Sequence, residues 1–354
     1  MIIRKLQVEN LRNLSRVDIT PHESLNYLYG DNGAGKTSLL ESMVVLSRGR
    51  SFKTNLASEL IGPSGSTFRV FAIAEDPGGK TCKLGLERSG KRWRGRLNGN
   101  DLSQLSQLTK ELPVVMMEPD SHLLVSGAPE VRRKYLDWGM FHVKHSFLDT
   151  WRRFSRALKQ RNAALRRSQE NLLDSLDEVL SEEGETLGEM RKSHAAAISE
   201  NIDSVLKELT SRIPKVDFSY HEGWNVAKSY SESLLEHRNR DLERGTTMTG
   251  PHRADLLFRC DRLPARAVLS RGEQKLFAAA LILTQARILA AAGENPVILF
   301  DDLVSEFDQD HFQRVLSGAL GLGLQVWVTG TERVSLKQEH SMFHVEQGSI
   351  AEVV

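Results

Sequence analysis

Residues 30–37 read Gly-Asp-Asn-Gly-Ala-Gly-Lys-Thr, and this octapeptide restricts the fold more than any other stretch of the chain. It matches G-x-x-x-x-G-K-[ST], a loop whose backbone N–H groups curl around phosphate oxygens. Such a loop needs a strand to deliver it and a helix opening directly after it, so that the helix N-terminus adds positive partial charge. Both flanks comply. Leu25 to Tyr29 is a short strand-like run. From Lys36 to Leu46, the residues Leu39, Leu40, Met43, Val44 and Leu46 give an apolar side at helical spacing. Gly30, Asp31, Asn32, Gly33, Ala34, Gly35, Lys36, Thr37 and Ser38 are the candidate phosphate contacts. In this chemistry Lys36 reaches the β- and γ-phosphates and Thr37 places its hydroxyl on Mg²⁺. The competing reading is a glycine turn before a helix that binds nothing.

Two further stretches fit the same chemistry. Val297-Ile298-Leu299-Phe300 predicts a buried strand, and Asp301 and Asp302 emerge at its C-terminal end, where ligands gather in α/β sheets. Asp301 is the candidate Mg²⁺ ligand with Thr37. Asp302 is the candidate for orienting an attacking water, with Lys36 the other catalytic candidate. Leu269-Ser270-Arg271-Gly272-Glu273-Gln274-Lys275 resembles the signature of ABC-type ATPases, usually written LSGGQ. Ser270 and Glu273 also form an S-x-x-E capping box, so the plainer reading is a well-capped helix. The resemblance implies that Ser270, Gly272 and Gln274 act in trans, on ATP held by a second, head-to-tail copy. Ser305-Glu306-Phe307-Asp308 resembles the family's SxLD loop with Phe in the Leu position, and either Ser305 or Asp308 also suits a helix N-cap.

The remaining pattern predicts an α/β chain. Ile2 to Glu9 reads as a strand with Ile2, Leu6 and Val8 on one face, residues 68–98 as an antiparallel meander, and Val114 to Met117 as a short strand. Strand signals vanish between about Pro129 and Leu209, where long helical stretches run. They resume after Gly250 with a helix from about Glu273 to Ala292 and a strand from Gln325 to Thr329. The expected architecture is an ABC-type P-loop ATPase head with an antiparallel β subdomain (lobe I, 1–120 and 250–354), interrupted by a mostly helical lobe II (121–249). No apolar run approaches the roughly 18 residues of a membrane crossing. Cys82 and Cys260 form no CxxC pair, so a zinc site or disulfide framework is not expected. A cytoplasmic protein without a membrane partner follows.

The formal net charge is only +1, so any nucleic-acid surface must come from local clustering. Residues 150–167 hold Arg152, Arg153, Arg156, Lys159, Arg161, Arg166 and Arg167 with no acid, and residues 168–190 hold eight acids with no base. Arg152, Arg156 and Lys159 are candidate DNA contacts, but the two stretches equally suit antiparallel helices paired by charge. Lys91-Arg92-Trp93-Arg94-Gly95-Arg96 poses the same choice. Arg92 and Arg94 either meet phosphates or line a solvated strand face with Trp93 packed beneath.

The spacing of the loop near residue 30 and the signature near residue 270 differs from that of transporter ATPases and is similar to SMC-type heads, with a much shorter insertion. Leu11-Arg12-Asn13-Leu14, residues 30–37, Arg48-Gly49-Arg50-Ser51-Phe52, Met117-Glu118-Pro119-Asp120, Gly127-Ala128-Pro129-Glu130-Val131-Arg132-Arg133, Gly250-Pro251-His252-Arg253 and Leu269 to Lys275 resemble the RecF family, in its order, over nearly the whole chain. The resemblance implies ATP and Mg²⁺ as cofactors, ATP-dependent homodimerisation on double-stranded or gapped DNA, and weak DNA-dependent ATPase. It also implies partnership with RecR and RecO in helping RecA load at gaps and stalled forks. Three features depart from ABC transporters. Asp302 stands where they carry Glu, which predicts slow turnover. No Q-loop glutamine stands near Met116–Asp120. Gly330-Thr331 replaces the switch histidine, leaving Thr329 or Thr331 as phosphate contacts. The alternatives are an SMC-like chromosome-organising head, which predicts long coiled coils, and a transporter subunit, which predicts a membrane-docking groove and the faster Glu. A P-loop kinase has no use for Ser270 to Gln274.

Overall fold

The computed structural model describes residues 1–54 and 56–353. The chain divides into two compact units, Met1–Ser121 with Glu208–Thr210 and Ala279–Val354, and His122–Lys207 with Ser211–Ala278. The last residue of the expected lobe I, Val354, lies outside the described residues.

The first unit contains two six-stranded sheets. One is antiparallel throughout, in the order Leu14–Ile19, Ile2–Leu11, Thr67–Glu75, Thr81–Ser89, Arg92–Leu97, Asn100–Asp101. The other runs Ser349–Val353, His340–Glu346, Leu25–Tyr29, Val326–Gly330, Val297–Phe300, Val114–Met117, all parallel except the edge strand Ser349–Val353. Helix Lys36–Arg48 shares one core with both. Its Leu39, Leu40, Met43 and Leu46 pack with Leu6, Val8, Phe68 and Val70 of the antiparallel sheet and Leu28, Val297, Leu299 and Trp327 of the parallel one.

That helix shows a single apolar side in sequence, yet the sheets bury it almost all round, polar residues included. Buried polar groups need partners. Ser47 donates to the Leu112 carbonyl at 2.6 Å, and Glu41 accepts both Arg12 Nε and Nη2 at 2.9 Å.

The first strand departs from simple alternation. A bulge between Ile3 and Lys5 shifts the register, so Ile3 joins Leu6 and Val8 in the core while Ile2 is half-buried. Leu14–Ile19, not anticipated from sequence, buries Leu14, Val17 and Ile19, a three-then-two spacing that matches no period-two template.

In the second unit, helices Pro129–Val143, Phe147–Arg166, Leu173–Leu209 and Tyr230–Arg244 pack around Met140, Phe147, Phe154, Leu180, Leu187, Tyr230 and Leu234, the last residues of Leu173–Leu209 falling in the first unit. A three-stranded sheet, Leu263–Pro264, Asp255–Cys260 and Asp217–His221, completes it. This sheet accounts for a difference in boundary. The expected second boundary at residue 250 moves to Ala278/Ala279, inside helix Arg271–Ala291. Asp255–Cys260 pairs with Asp217–His221, and Phe218, Phe258 and Phe277 stack edge to face. These contacts tie residues 251–278 to the helical insertion.

Helix Arg271–Ala291 also corrects the membrane expectation. By length and composition it is apolar enough to cross a bilayer, but two-thirds of that window (67%) is buried within the fold. Its apolarity is that of a core helix.

The oppositely charged stretches do pair. Fully buried Arg161 bonds Asp177, Asp241 at 2.7 Å and Thr247 at 2.9 Å, and Arg153 pairs with Glu183. Removing one partner from a buried ionic network leaves uncompensated charge. Arg161→Met is expected to lower unfolding free energy by about 3–5 kcal/mol in urea titration. A loss below about 1 kcal/mol would mean that Asp177 and Asp241 find other partners.

Candidate functional site

The loop after Tyr29 has a backbone only glycine tolerates at its key points. Gly30 sits at φ 149°, and a Cβ there would come within 2.1 Å of the Val345 carbonyl oxygen. Gly35 at φ 124° opens helix Lys36–Arg48 without a side-chain cap or an acid in the first turn. The amides of that turn therefore face no competing side-chain acceptor, which suits an incoming anion. Lys36 folds across the loop, Nζ donating to the carbonyls of Gly30 at 2.6 Å and Asp31 at 2.9 Å. Burial lowers its pKa, opposed by Asp302 and Asp301. Asn13 braces the loop from outside. Its Nδ2 donates to the Gly33 carbonyl at 2.9 Å, and its Oδ1 accepts from Ser38 Oγ at 2.8 Å.

The parallel strands end beside this loop, so their first loop residues converge there. Asp301 Oδ1 accepts from Thr37 Oγ1 at 2.8 Å and from Thr329 Oγ1 at 3.0 Å. Burial raises the Asp301 pKa, with both hydroxyls pulling against it. Asp302 adopts the left-handed region at φ 57°. Its amide donates to Thr329 Oγ1 at 2.7 Å, and its Oδ1 accepts from Ser305 Oγ at 2.7 Å. A non-glycine residue held there costs conformational energy, and such strain clusters at functional sites.

A cavity of about 870 Å³ joins these groups. Of the residues expected at the site, Asn32, Gly33, Gly35, Lys36, Thr37, Ser38, Asp301 and Asp302 line it. Gly30 and Asp31 hold Lys36 through their carbonyls. Ala34 is buried, and its carbonyl accepts from Gly348. Arg12, Asn13, Glu118 and Asp120, quoted in the sequence only as parts of family-like stretches and given no role there, also line the cavity, as does Lys53. Thr329 lines it too, its hydroxyl engaged with Asp301 and Asp302, whereas Thr331 is not part of the lining. Those family-like stretches do not say in sequence which site their side chains join. Only the strand ending at Met117, side by side with Val297–Phe300, brings Glu118 to the acids. Burial pushes the Glu118 carboxyl up to about 7, with Arg48 opposing and Asp120 and Asp301 reinforcing.

Ser270, Gly272 and Gln274 belong to the second unit. The capping box is formed. Ser270 N–H donates to Glu273 Oε2 at 2.8 Å, and Glu273 N–H to Ser270 Oγ at 3.3 Å. Gln274 Nε2 donates to the Leu269 carbonyl at 2.9 Å. Ser270 and Gly272 are exposed, and a Cβ on Gly272 would meet nothing within 4 Å. In the loop Gly250 to Arg253, His252 donates Nε2–H to the Thr247 carbonyl at 2.9 Å, and burial lowers its pKa to about 4.

The DNA candidates divide. Arg156 and Lys159 are exposed and carry no ion pair among the described residues, and Arg152 lies 3.9 Å from Asp149. On strand Arg92–Leu97, Arg94 pairs with Asp101 at 2.8 Å and Arg96 with the same acid at 2.9 Å, while Arg92 is exposed. Trp93 packs beneath, edge-on to Phe68 at 5.8 Å.

This loop, strand and helix arrangement has close relatives. The family model described as RecF/RecN/SMC N terminal domain matches residues 2–351. The DNA replication and repair protein RecF of Xanthomonas axonopodis pv. citri (strain 306) is 41% identical over 365 residues, covering 99% of this chain and 98% of that protein. The chain belongs to the RecF family. The RecF of Stenotrophomonas maltophilia (strain R551-3) is 41% identical over 363 residues, with 100% of both chains covered. A solved structure of the recombination mediator protein RecF-ATP in the RecFOR pathway superposes with a TM-score of 0.90 at 25% identity, over 100% of this chain and 98% of that one. The two-sheet head enclosing the phosphate-loop helix is thus the fold of the RecF family, and its ABC-type ATPase architecture is as the sequence resemblance implies.

The raised Glu118 pKa makes stability depend on pH. Between its unfolded value near 4.5 and about 7, the folded chain binds more protons than the unfolded one. Stability therefore falls as pH rises through that window. Glu118→Gln should melt higher than the native chain at pH 8 without nucleotide, and the gap should close toward pH 5. An equal gap at both pH values would place the Glu118 carboxylate in solvent.

Proposed function

We propose that this chain is an ATP-switched clamp on double-stranded and gapped DNA that acts in recombinational repair. The observation carrying the proposal is the single cavity in which an uncapped helix N-terminus, Lys36, Thr37, Asp301 and Asp302 meet. Membership in a family of DNA replication and repair proteins, and the close likeness to a RecF-ATP structure, support the same reading.

The opening amides of helix Lys36–Arg48 and the Lys36 ammonium bind the phosphates of ATP. Lys36 is anchored on two carbonyls, which fixes its direction and leaves one of its three N–H groups for a phosphate oxygen. Thr37 and Asp301 offer a hydroxyl and a carboxylate oxygen, the hard donors Mg²⁺ takes, and both fit that role. Bound there, Mg²⁺ would neutralise phosphate charge. Thr329 positions the acids, holding the Asp301 carboxylate and the Asp302 amide with one hydroxyl. Asp302 orients the attacking water. Its side chain is shorter than glutamate and is shared with Ser305, so turnover is slow.

Ser270, Gly272 and Gln274 of a second, head-to-tail copy complete the phosphate contacts. ATP then bridges only the closed dimer and stabilises it by linkage, and hydrolysis releases it. The closed form engages DNA and acts with RecR and RecO to help load RecA at gaps and stalled forks.

Lys36→Ala is expected to lose the Mg-ATP-dependent part of duplex binding, measured by fluorescence anisotropy. Asp302→Asn should keep ATP and duplex but hydrolyse about a hundredfold more slowly. Native-rate hydrolysis by Asp302→Asn, or ATP-dependent DNA binding by Lys36→Ala, would contradict this mechanism.

A further inference from the structure

The first unit holds a second cavity of about 730 Å³, with Arg50, Ser51, Ser58, Arg88, Lys91 and Trp93 in its wall and no carboxylate among the described lining residues. Its basic residues are not the ones strand alternation picks out. Arg94 and Arg96 face outward and share Asp101. Arg88 and Lys91 flank the turn between Thr81–Ser89 and Arg92–Leu97, and Arg50 follows helix Lys36–Arg48, so residues distant in sequence converge on one concave surface.

The three cations are available in different ways. Arg50 and Lys91 are exposed and form no ion pair among the described residues. Arg88 is oriented, its guanidinium lying 4.6 Å over the Trp93 ring, which Phe68 in turn braces edge-on. Its Nε is buried with no hydrogen-bond acceptor. A planar donor fixed by stacking and lacking an acceptor is suited to a phosphate oxygen. The Ser58 hydroxyl adds a donor of the kind that contacts nucleic-acid backbones, and the missing carboxylates remove the repulsion a polyanion would otherwise meet.

We propose that this cleft binds the phosphodiester backbone of duplex DNA, and that residues 50–53 couple it to the nucleotide cavity. The inference rests on the DNA-binding reading above. Arg50 and Ser51 line the cleft, while Phe52 and Lys53, next in the chain, line the phosphate-loop cavity. Ser51 donates its hydroxyl to Glu41 of the phosphate-loop helix, and Arg12 grips the same carboxylate. A strap walled into both cavities and pinned to the helix between them gives DNA and nucleotide a shared element, and coupling between two ligands is reciprocal.

The test is anisotropy of a fluorescein-labelled duplex titrated with native protein, Arg50→Glu/Lys91→Glu and Arg88→Ala, with Mg-ATPγS, over a range of salt. The double variant should bind at least about tenfold more weakly at ~0.1 M salt, with a slope of log K against log salt shallower by roughly 2, since each lost phosphate contact removes about 0.9. Arg88→Ala should weaken binding with a smaller change in slope. Nucleotide affinity measured without DNA should equal the native value in both, which establishes that they fold. Adding duplex should tighten nucleotide binding by the native protein and leave the double variant unaffected. Native duplex affinity and slope in the double variant would overturn the cleft. A nucleotide affinity in the native protein that duplex leaves unchanged would overturn the coupling. If the native protein binds no duplex at all, the DNA-binding reading itself fails.

Discussion

Helix Lys36–Arg48 is held between two sheets, and the chemistry of the first unit depends on that placement. A helix buried almost all round cannot shift without opening the core on both sides. Its N-terminus is thereby fixed at the C-terminal edge of the parallel strands, where Asp301, Asp302 and Glu118 leave their strands and Thr329 sits one residue from the end of its own. The buried Glu41 ties the same helix to Arg12 and Ser51. Deleting Arg12 would leave a carboxylate buried without its bidentate partner, so this pair anchors the helix as much as it stabilises it.

The cavity sets Glu118, Asp120, Asp301 and Asp302 against Arg12, Lys36 and Lys53. Asp301 and Glu118 are both raised above ordinary carboxylate behaviour, chiefly by burial and further by their acidic neighbours. Lys36 is lowered by burial. Desolvated acids beside a lysine already anchored on carbonyls make a site with strong demand for a cation and a matching anion together. In the proposed function, Mg-ATP would supply both charges. Thr329, a candidate phosphate contact in the sequence, works instead on the acids, its one hydroxyl holding the Asp301 carboxylate and the Asp302 amide.

Much of this was legible in the sequence where local pattern and chemistry coincide. Val297–Phe300 is a continuous apolar run because it is an inner parallel strand, and the glycines of residues 30–35 mark a loop that other side chains cannot form. What escaped depends on tertiary pairing. The bulge after Ile3 moves a strand face by one residue, and Leu14–Ile19 alternates irregularly. The lobe boundary moved because a phenylalanine cluster joins segments far apart in the chain. Glu118 and Thr329 gained their places from neighbouring strand ends, and the run Lys91 to Arg96 hid the fact that Asp101 neutralises two of its arginines. Charge counted along a chain does not tell which side chains are already paired.

The proposed function rests on ATP closing two copies through the exposed start of helix Arg271–Ala291. Light scattering of the native chain and of Ser270→Arg, each with Mg-ATP, measures this directly. The native chain should show a dimer mass that collapses to the monomer in the variant, with nucleotide still bound by both. A native chain that stays monomeric with ATP bound, or a Ser270→Arg chain that dimerises as well as the native one, would contradict it.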